Sequence, residues 1–300
     1  MWHALWLFIR FSRPLALLGG MLTFALGTGI ARYLGITLNW HLYFLGQLWT
    51  TSLQLFAHYF GEYFRPPAIP ARNTPFLRQN STQAGKKVPQ REAALWGGLV
   101  MLTAAASLAV MLRAAGANST ALLVMFLIFA AGLVYTVPPM RLAETGYGEL
   151  VLSVTVAGLI PALAFALQTG ELHRLVVMST FPLILLCIAM YIVFDLPAYA
   201  NNLKHEQLTL LTRLGWQRAM TLHNLLILTA YILLAMAMRF GFPPSIGLPA
   251  LLALPLGLLQ IWYMTRIAAG AKPNWAILGW VAVAVCAATA YLLTFSFWTK

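Results

Sequence analysis

The chain has 300 residues, of which 61% are apolar and only 9% charged, with a mean hydropathy of +0.78. Soluble domains carry about 25% charged residues, so this composition excludes a soluble enzyme, a disulfide scaffold and a disordered tail protein. Nineteen Lys and Arg face seven acids, for a net charge of +12. What remains is an all-α, polytopic membrane protein.

In chain order, the first segment, MWHALWLFIRFSRP, has no small-residue cleavage site. Its Trp2, Trp6 and Phe8, interleaved with Arg10 and Arg13, predict an interfacial lead-in rather than a signal peptide. A spanning helix needs about 20 mostly apolar residues. Nine stretches qualify: 14–31, 39–60, 93–112, 120–138, 148–168, 175–195, 219–238, 246–265 and 275–298. They are continuous rather than alternating and too long for barrel strands. With the N-terminus in the cytoplasm, fourteen of the nineteen basic residues fall in inside segments, the distribution expected of cytoplasmic loops. That accounts for most of the charge, and no basic face interleaved with aromatics points to nucleic acid. The two longest loops, 61–92 and 196–218, share this face, and long loops in a compact fold are functional or disordered.

All seven acids can be named: Glu62, Glu92, Glu144, Glu149, Glu171, Asp195 and Glu206. Asp195 lies near membrane depth, where carboxylates are costly and become functional candidates, although it also suits a helix-end turn before Leu196-Pro197. Glu149 follows Gly148 at a predicted helix start, where the dipole favours an acid. Cys187 and Cys286 read as inert buried thiols. His58 and His223, near span ends, invite axial ligation of a tetrapyrrole or, alternatively, hydrogen bonds to loops. Neither paired intramembrane charges nor broken half-helices suggest a transporter.

Four stretches carry a resemblance. Ser12-Arg13-Pro14 opens the first span, which closes on Gly27-Thr28-Gly29-Ile30-Ala31. Leu53-Gln54-Leu55-Phe56-Ala57-His58-Tyr59-Phe60 precedes the first long loop. Tyr135-Thr136-Val137-Pro138-Pro139-Met140-Arg141-Leu142 is followed by Gly146-Tyr147-Gly148-Glu149-Leu150. Thr209-Leu210 and Arg213-Leu214-Gly215 complete the set. In order and spacing these resemble the UbiA superfamily of intramembrane prenyltransferases across nearly the whole chain, implying a UbiA-type bundle of about nine helices and a single transmembrane domain over 1–300. The resemblance also implies transfer of an isoprenoid from its diphosphate to an aromatic or chlorin-type acceptor. Two Asp-rich loop motifs would hold Mg²⁺ on the diphosphate, a hard-cation, hard-oxygen match.

Against that pattern, the first motif (N-D-x-x-D-x-x-x-D) aligns with residues 61–69, where Glu62 is the one acid kept. Arg65 and Ile69 replace the others. The second (D-x-x-x-D) aligns with Ala198 to Asn202 and keeps neither acid, leaving Asp195 three residues before it. Losing one preorganised electrostatic group costs roughly 10²–10³ in rate, and several are missing. Glu62 and Asp195 are the remaining candidate metal ligands. Arg65, Arg72, Arg141 and Lys204 are candidates for gripping a diphosphate or anionic lipid directly, or for enforcing topology at the headgroups. Arg13, His58, Tyr63 and Tyr199 are candidate pocket residues.

Two readings follow. In the first, a non-catalytic relative in the inner, cytoplasmic membrane binds an isoprenoid, quinone or pigment, or serves as a subunit of a membrane complex. In the second, an active prenyltransferase uses Mg²⁺.

Overall fold

A computed structural model describes residues 12–64 and 88–300. Among these residues the structure is helical, with no strand and a single isolated parallel bridge between Thr145 and Leu208. The long helices are α1 (Pro14–Tyr33), α2 (Trp40–Phe64), α3 (Val88–Ala114) and α4 (Ser119–Thr136). A fifth segment, Gly148–Thr169, consists of α5 (Gly148–Val154), a π turn (Thr155–Leu159) and α6 (Ile160–Thr169). Then come α7 (Arg174–Asp195), α8 (Tyr199–Lys204), α9 (Leu210–Leu214), α10 (Trp216–Arg239), α11 (Pro244–Leu251), α12 (Leu254–Ala268) and α13 (Trp275–Thr299).

Lipid offers no hydrogen-bond partners, so each apolar run must satisfy its own backbone, and the helix does so. Hydroxyls inside the bundle follow the same rule by bonding back one turn. Thr28 donates to the Phe24 carbonyl, Ser153 to Glu149, Ser179 to Leu175 and Thr289 to Val285.

Eight of the nine segments are long and apolar enough to cross a membrane. The ninth, α2, has 25 residues and sufficient length but is too polar by composition. Gln47, Thr51, Gln54, His58 and Glu62 recur along it at helical spacing, forming a polar stripe. Its lower members meet α1, with Gln54 lying against Gly20. Close approach is also built into the Gly-Thr-Gly end of α1: a Cβ at Gly27 would overlap the Pro161 carbonyl, and one at Gly29 would press on the Trp298 ring.

Two expectations need correction. The 196–218 region is not an open loop but a 3₁₀ turn (Leu196–Ala198), α8, α9 and the start of α10. Broken helices do occur. Segment 244–268 breaks at Leu252–Ala253, between Pro249 and Pro255, and the π turn lies directly before Pro161. Proline has no N–H to give the preceding turn, so the ladder there must open or widen.

Three apolar clusters fill the interior. One joins α1, α7, α10, α11 and α13, and a second joins α1, α2, α3, α4 and α6. The third lies towards the 195–216 end and ties Leu196 and Leu211 to Met220, Met264 and Leu278. The helices alternate in direction, so residues 13, 62–64, 136–148, 195–216 and 268–275 collect at one end of the bundle.

Candidate functional site

This end is assembled from the close of α2 outward. His58 and Glu62 are one helical turn apart and share a face. His58 Nδ1 donates to the Ser12 carbonyl at 2.9 Å, and Arg13 Nη2 reaches Glu62 Oε1 at 3.4 Å. Together they latch the Ser12-Arg13-Pro14 corner onto α2. Arg13 adopts a left-handed backbone (φ 49°) there, and Pro14 supplies the first helical position, where its missing N–H costs nothing. The pair is partly sheltered, with side-chain exposures of 30% for Arg13 and 10% for Glu62. Electrostatically, Glu62, the one acid in 61–69, is therefore held against a guanidinium.

Tyr63 is fixed from the other side. Arg91 Nε donates to its carbonyl at 3.1 Å, and the guanidinium stands 5.8 Å from its ring centroid. Arg65 and Arg72 lie outside the described residues.

A second latch joins the 137–147 and 205–215 connections. Arg213 sits 4.6 Å from the Tyr147 ring centroid, and its Nη1 donates to the Tyr147 hydroxyl at 3.4 Å. Gly146 (φ 81°) lies so close to Arg213 that a Cβ there would strike its side chain. Thr209 caps α9 by accepting from the Thr212 amide at 3.2 Å, and Thr212 Oγ1 accepts in return from the Thr209 amide at 2.7 Å. Arg141, with φ 35°, is paired with Glu144 three residues on.

The second-motif positions are placed as follows. Asp195 ends α7 fully buried, Ala198 ends the 3₁₀ turn half-buried, and Asn202 is buried in α8. The Tyr199 ring lies tilted 5.6 Å from Trp216, which in turn meets Trp275 edge-on at 6.0 Å. Lys204 is exposed. Glu149 begins α5 and is buried at 1% exposure.

His223 lies deeper. Its Nδ1 donates to Asn224 Oδ1 at 2.9 Å, and its Nε2 faces Gln260 Nε2 at 3.4 Å. Both ring nitrogens are engaged and the side chain is fully buried.

Two Mg²⁺ ions need several hard oxygen ligands. Among the described residues no three His, Cys, Asp or Glu side chains gather to hold a metal, and Glu62 already faces Arg13. This donor set does not fit a two-metal clamp.

Arg91 and Tyr147 meet partners far away in the chain, while Glu144 pairs within its own turn. The polar stripe on α2 was detectable from spacing alone, whereas the latches depend on loops meeting across the chain.

The profile of the UbiA prenyltransferase family matches residues 80–275, a stretch that begins after the first-motif positions. No curated protein matches. Among solved structures, a UbiA homolog from Archaeoglobus fulgidus bound to GPP and Mg²⁺ is similar at a TM-score of 0.60 and 17% identity, covering 96% of this chain and 99% of that one. A UbiA homolog from Aeropyrum pernix K1 gives 0.62 and 13%, with coverages of 92% and 96%. A digeranylgeranylglyceryl phosphate synthase gives 0.66 and 12%, with coverages of 99% and 100%. At such identities the structural likeness speaks for the fold.

Proposed function

Because the chain belongs to the UbiA prenyltransferase family, we propose that it is a member that keeps the membrane bundle but has given up Mg²⁺-dependent transfer, and that it binds an isoprenoid lipid. It is an integral, multi-pass membrane protein. The Arg13–Glu62 ion pair carries this reading. A carboxylate that holds Mg²⁺ on a diphosphate must offer its lone pairs to the cation, and a guanidinium 3.4 Å away competes for them. At the second motif Ala198 has no oxygen to offer from its side chain, and Asn202 brings a neutral amide in place of a charge.

The ligand class follows from the same residues. An apolar chain suits a bundle whose interior is built from Leu, Ile, Phe and Ala. A tetrapyrrole finds no free nitrogen at His223, where both are occupied. An anionic headgroup would be met by Lys204, with Arg65 and Arg72 from the adjoining segment. Arg13, Arg141 and Arg213 are drawn into latches that shape this end. The basic end faces the cytoplasm in this reading, by the bias of Lys and Arg in its loops. Service as a subunit of a larger membrane complex is compatible with the same chemistry.

The alternative, an active prenyltransferase, is favoured by Asp195, an acid kept fully buried beside the second-motif positions. The two readings separate in one assay. Purified protein is given geranyl diphosphate, an aromatic acceptor and Mg²⁺, and diphosphate release is followed. Release at the no-protein rate is expected. Turnover above it that disappears in Glu62→Gln or Asp195→Asn would establish the alternative. Gentle solubilisation with mass spectrometry of the eluate is expected to find a co-purifying isoprenoid, and a lipid-free, solitary chain would count against both the binding and the subunit roles.

A further inference from the structure

Cys187 on α7 and Cys286 on α13 are 99 residues apart in sequence, yet their sulfurs lie 3.3 Å from each other. Both are free thiols, and both sit near the middle of their helices. Two cysteines in a 300-residue chain could have fallen anywhere along its helices. Here they face one another across the α7–α13 contact, packed among Leu183, Leu186 and Val285. Cys187 is buried, while Cys286 is partly open. The site at the end of the bundle makes no use of either.

A disulfide requires a separation of about 2.05 Å between sulfurs on side chains that point at each other. The observed contact already meets the second condition. A shift of roughly 1 Å, within the reach of small rotations about χ1, meets the first. We infer that this pair is an intramembrane dithiol that closes to a Cys187–Cys286 disulfide, stapling α7 to α13.

The oxidant must reach the middle of the bilayer. A charged thiol reagent does not partition there, whereas a quinone, an apolar two-electron acceptor, does. Both S–H bonds break, one S–S bond forms, and the two protons and two electrons reduce the quinone to its hydroquinone. Cys286, on the more open side, is the thiol that such an oxidant meets first. Asp195 lies eight residues beyond Cys187 on the same helix, about 12 Å along its axis. Closure therefore fixes, against α13, the helix that ends at the functional face.

The test uses the full chain in detergent micelles, reduced and freed of reductant, then exposed to tetramethylbenzoquinone, whose substituted ring carbons resist thiol addition. Exposure lasts long enough to oxidise the same chain unfolded in dodecyl sulfate. The expected results are an intact mass lower by two hydrogens, loss of both thiols to maleimide after denaturation, and a linked 187–286 peptide, all reversed by dithiothreitol. The oxidised wild type should also melt at a higher temperature, a shift that is absent in Cys187→Ser and Cys286→Ser. Two free thiols remaining in the treated native chain would overturn the inference. So would oxidation that yields only disulfide-linked dimers, retained in Cys187→Ser.

Discussion

At one end of the bundle the helices are joined by tight turns: 34–39, 115–118, 170–173 and 240–243. Wherever the backbone turns left-handed there, the residue is glycine: Gly35, Gly116, Gly170 and Gly241. At the opposite end two connections are longer, 137–147 and 196–215, while a third, 269–274, is as short as the tight turns. The three non-glycine residues with positive φ among the described residues, Arg13, Arg141 and Glu206, all lie there. Left-handed backbone costs a side-chain-bearing residue about 1–2 kcal/mol. Glycine avoids that cost, and one end of the molecule uses it consistently. The other end uses it too, at Gly146, Gly215 and Gly270, but also accepts the cost at charged residues, two of which are then engaged in ion pairs. Strain of this kind collects where a particular arrangement of side chains is needed, whereas the tight end only has to close.

The contrast can be broken by exchanging the two chemistries. Gly170→Val puts a β-branched side chain at φ 87° in the tight end and is expected to cost about 2 kcal/mol, seen as a lower midpoint of unfolding in mixed micelles. An unchanged midpoint would mean that the turn is not as constrained as its backbone suggests. Asn118→Ala should come next, at about 1.5 kcal/mol. Asn118 caps α4 through the Ala121 amide at 2.8 Å and donates to the Ala166 carbonyl at 2.7 Å, so both bonds go. The same denaturation measurement checks it, and a loss no larger than that of an exposed Ser119→Ala control would refute the capping role.

At the functional end the effects are smaller and change sign. Arg13→Gln removes a partly exposed ion pair and should cost under about 1 kcal/mol in stability. Isothermal titration should find Mg²⁺ affinity unchanged or raised as Glu62 is released. A fall would show that Arg13 is not a competitor of the cation. Glu206→Gly relieves a left-handed residue on an exposed turn, and after the entropy glycine brings to the unfolded chain it should stabilise by about 0.5 kcal/mol. Destabilisation of that size would place Glu206 in a contact that its backbone strain serves.

The spans were legible because their signal is local: among the described residues, eight of the nine expected runs form helices long and apolar enough to cross a membrane, and the ninth is a long helix as well. The departure at α2 was legible in the same way, through Gln47, Thr51, Gln54, His58 and Glu62 at helical spacing. The site was half legible. That Glu62 is the one acid in 61–69 can be read from the string, but that Arg13, 49 residues earlier, sits on it cannot. Arg213, in the short α9, and Tyr147 read as an ordinary basic and an ordinary aromatic residue until the 137–147 and 205–215 connections touch. Cys187 and Cys286 read as unrelated inert thiols, and only the packing of α7 on α13 made them neighbours.

The sequence by itself therefore determined the class of the protein and which few carboxylates it can bring to any site. Membrane insertion depends on summed hydropathy along the chain, and a missing carboxylate is missing in any conformation. Tertiary structure decided which of the remaining charges meet. An ion pair, a stacked guanidinium or a thiol contact depends on distances of a few ångströms, and those are set by how helices far apart in sequence cross one another.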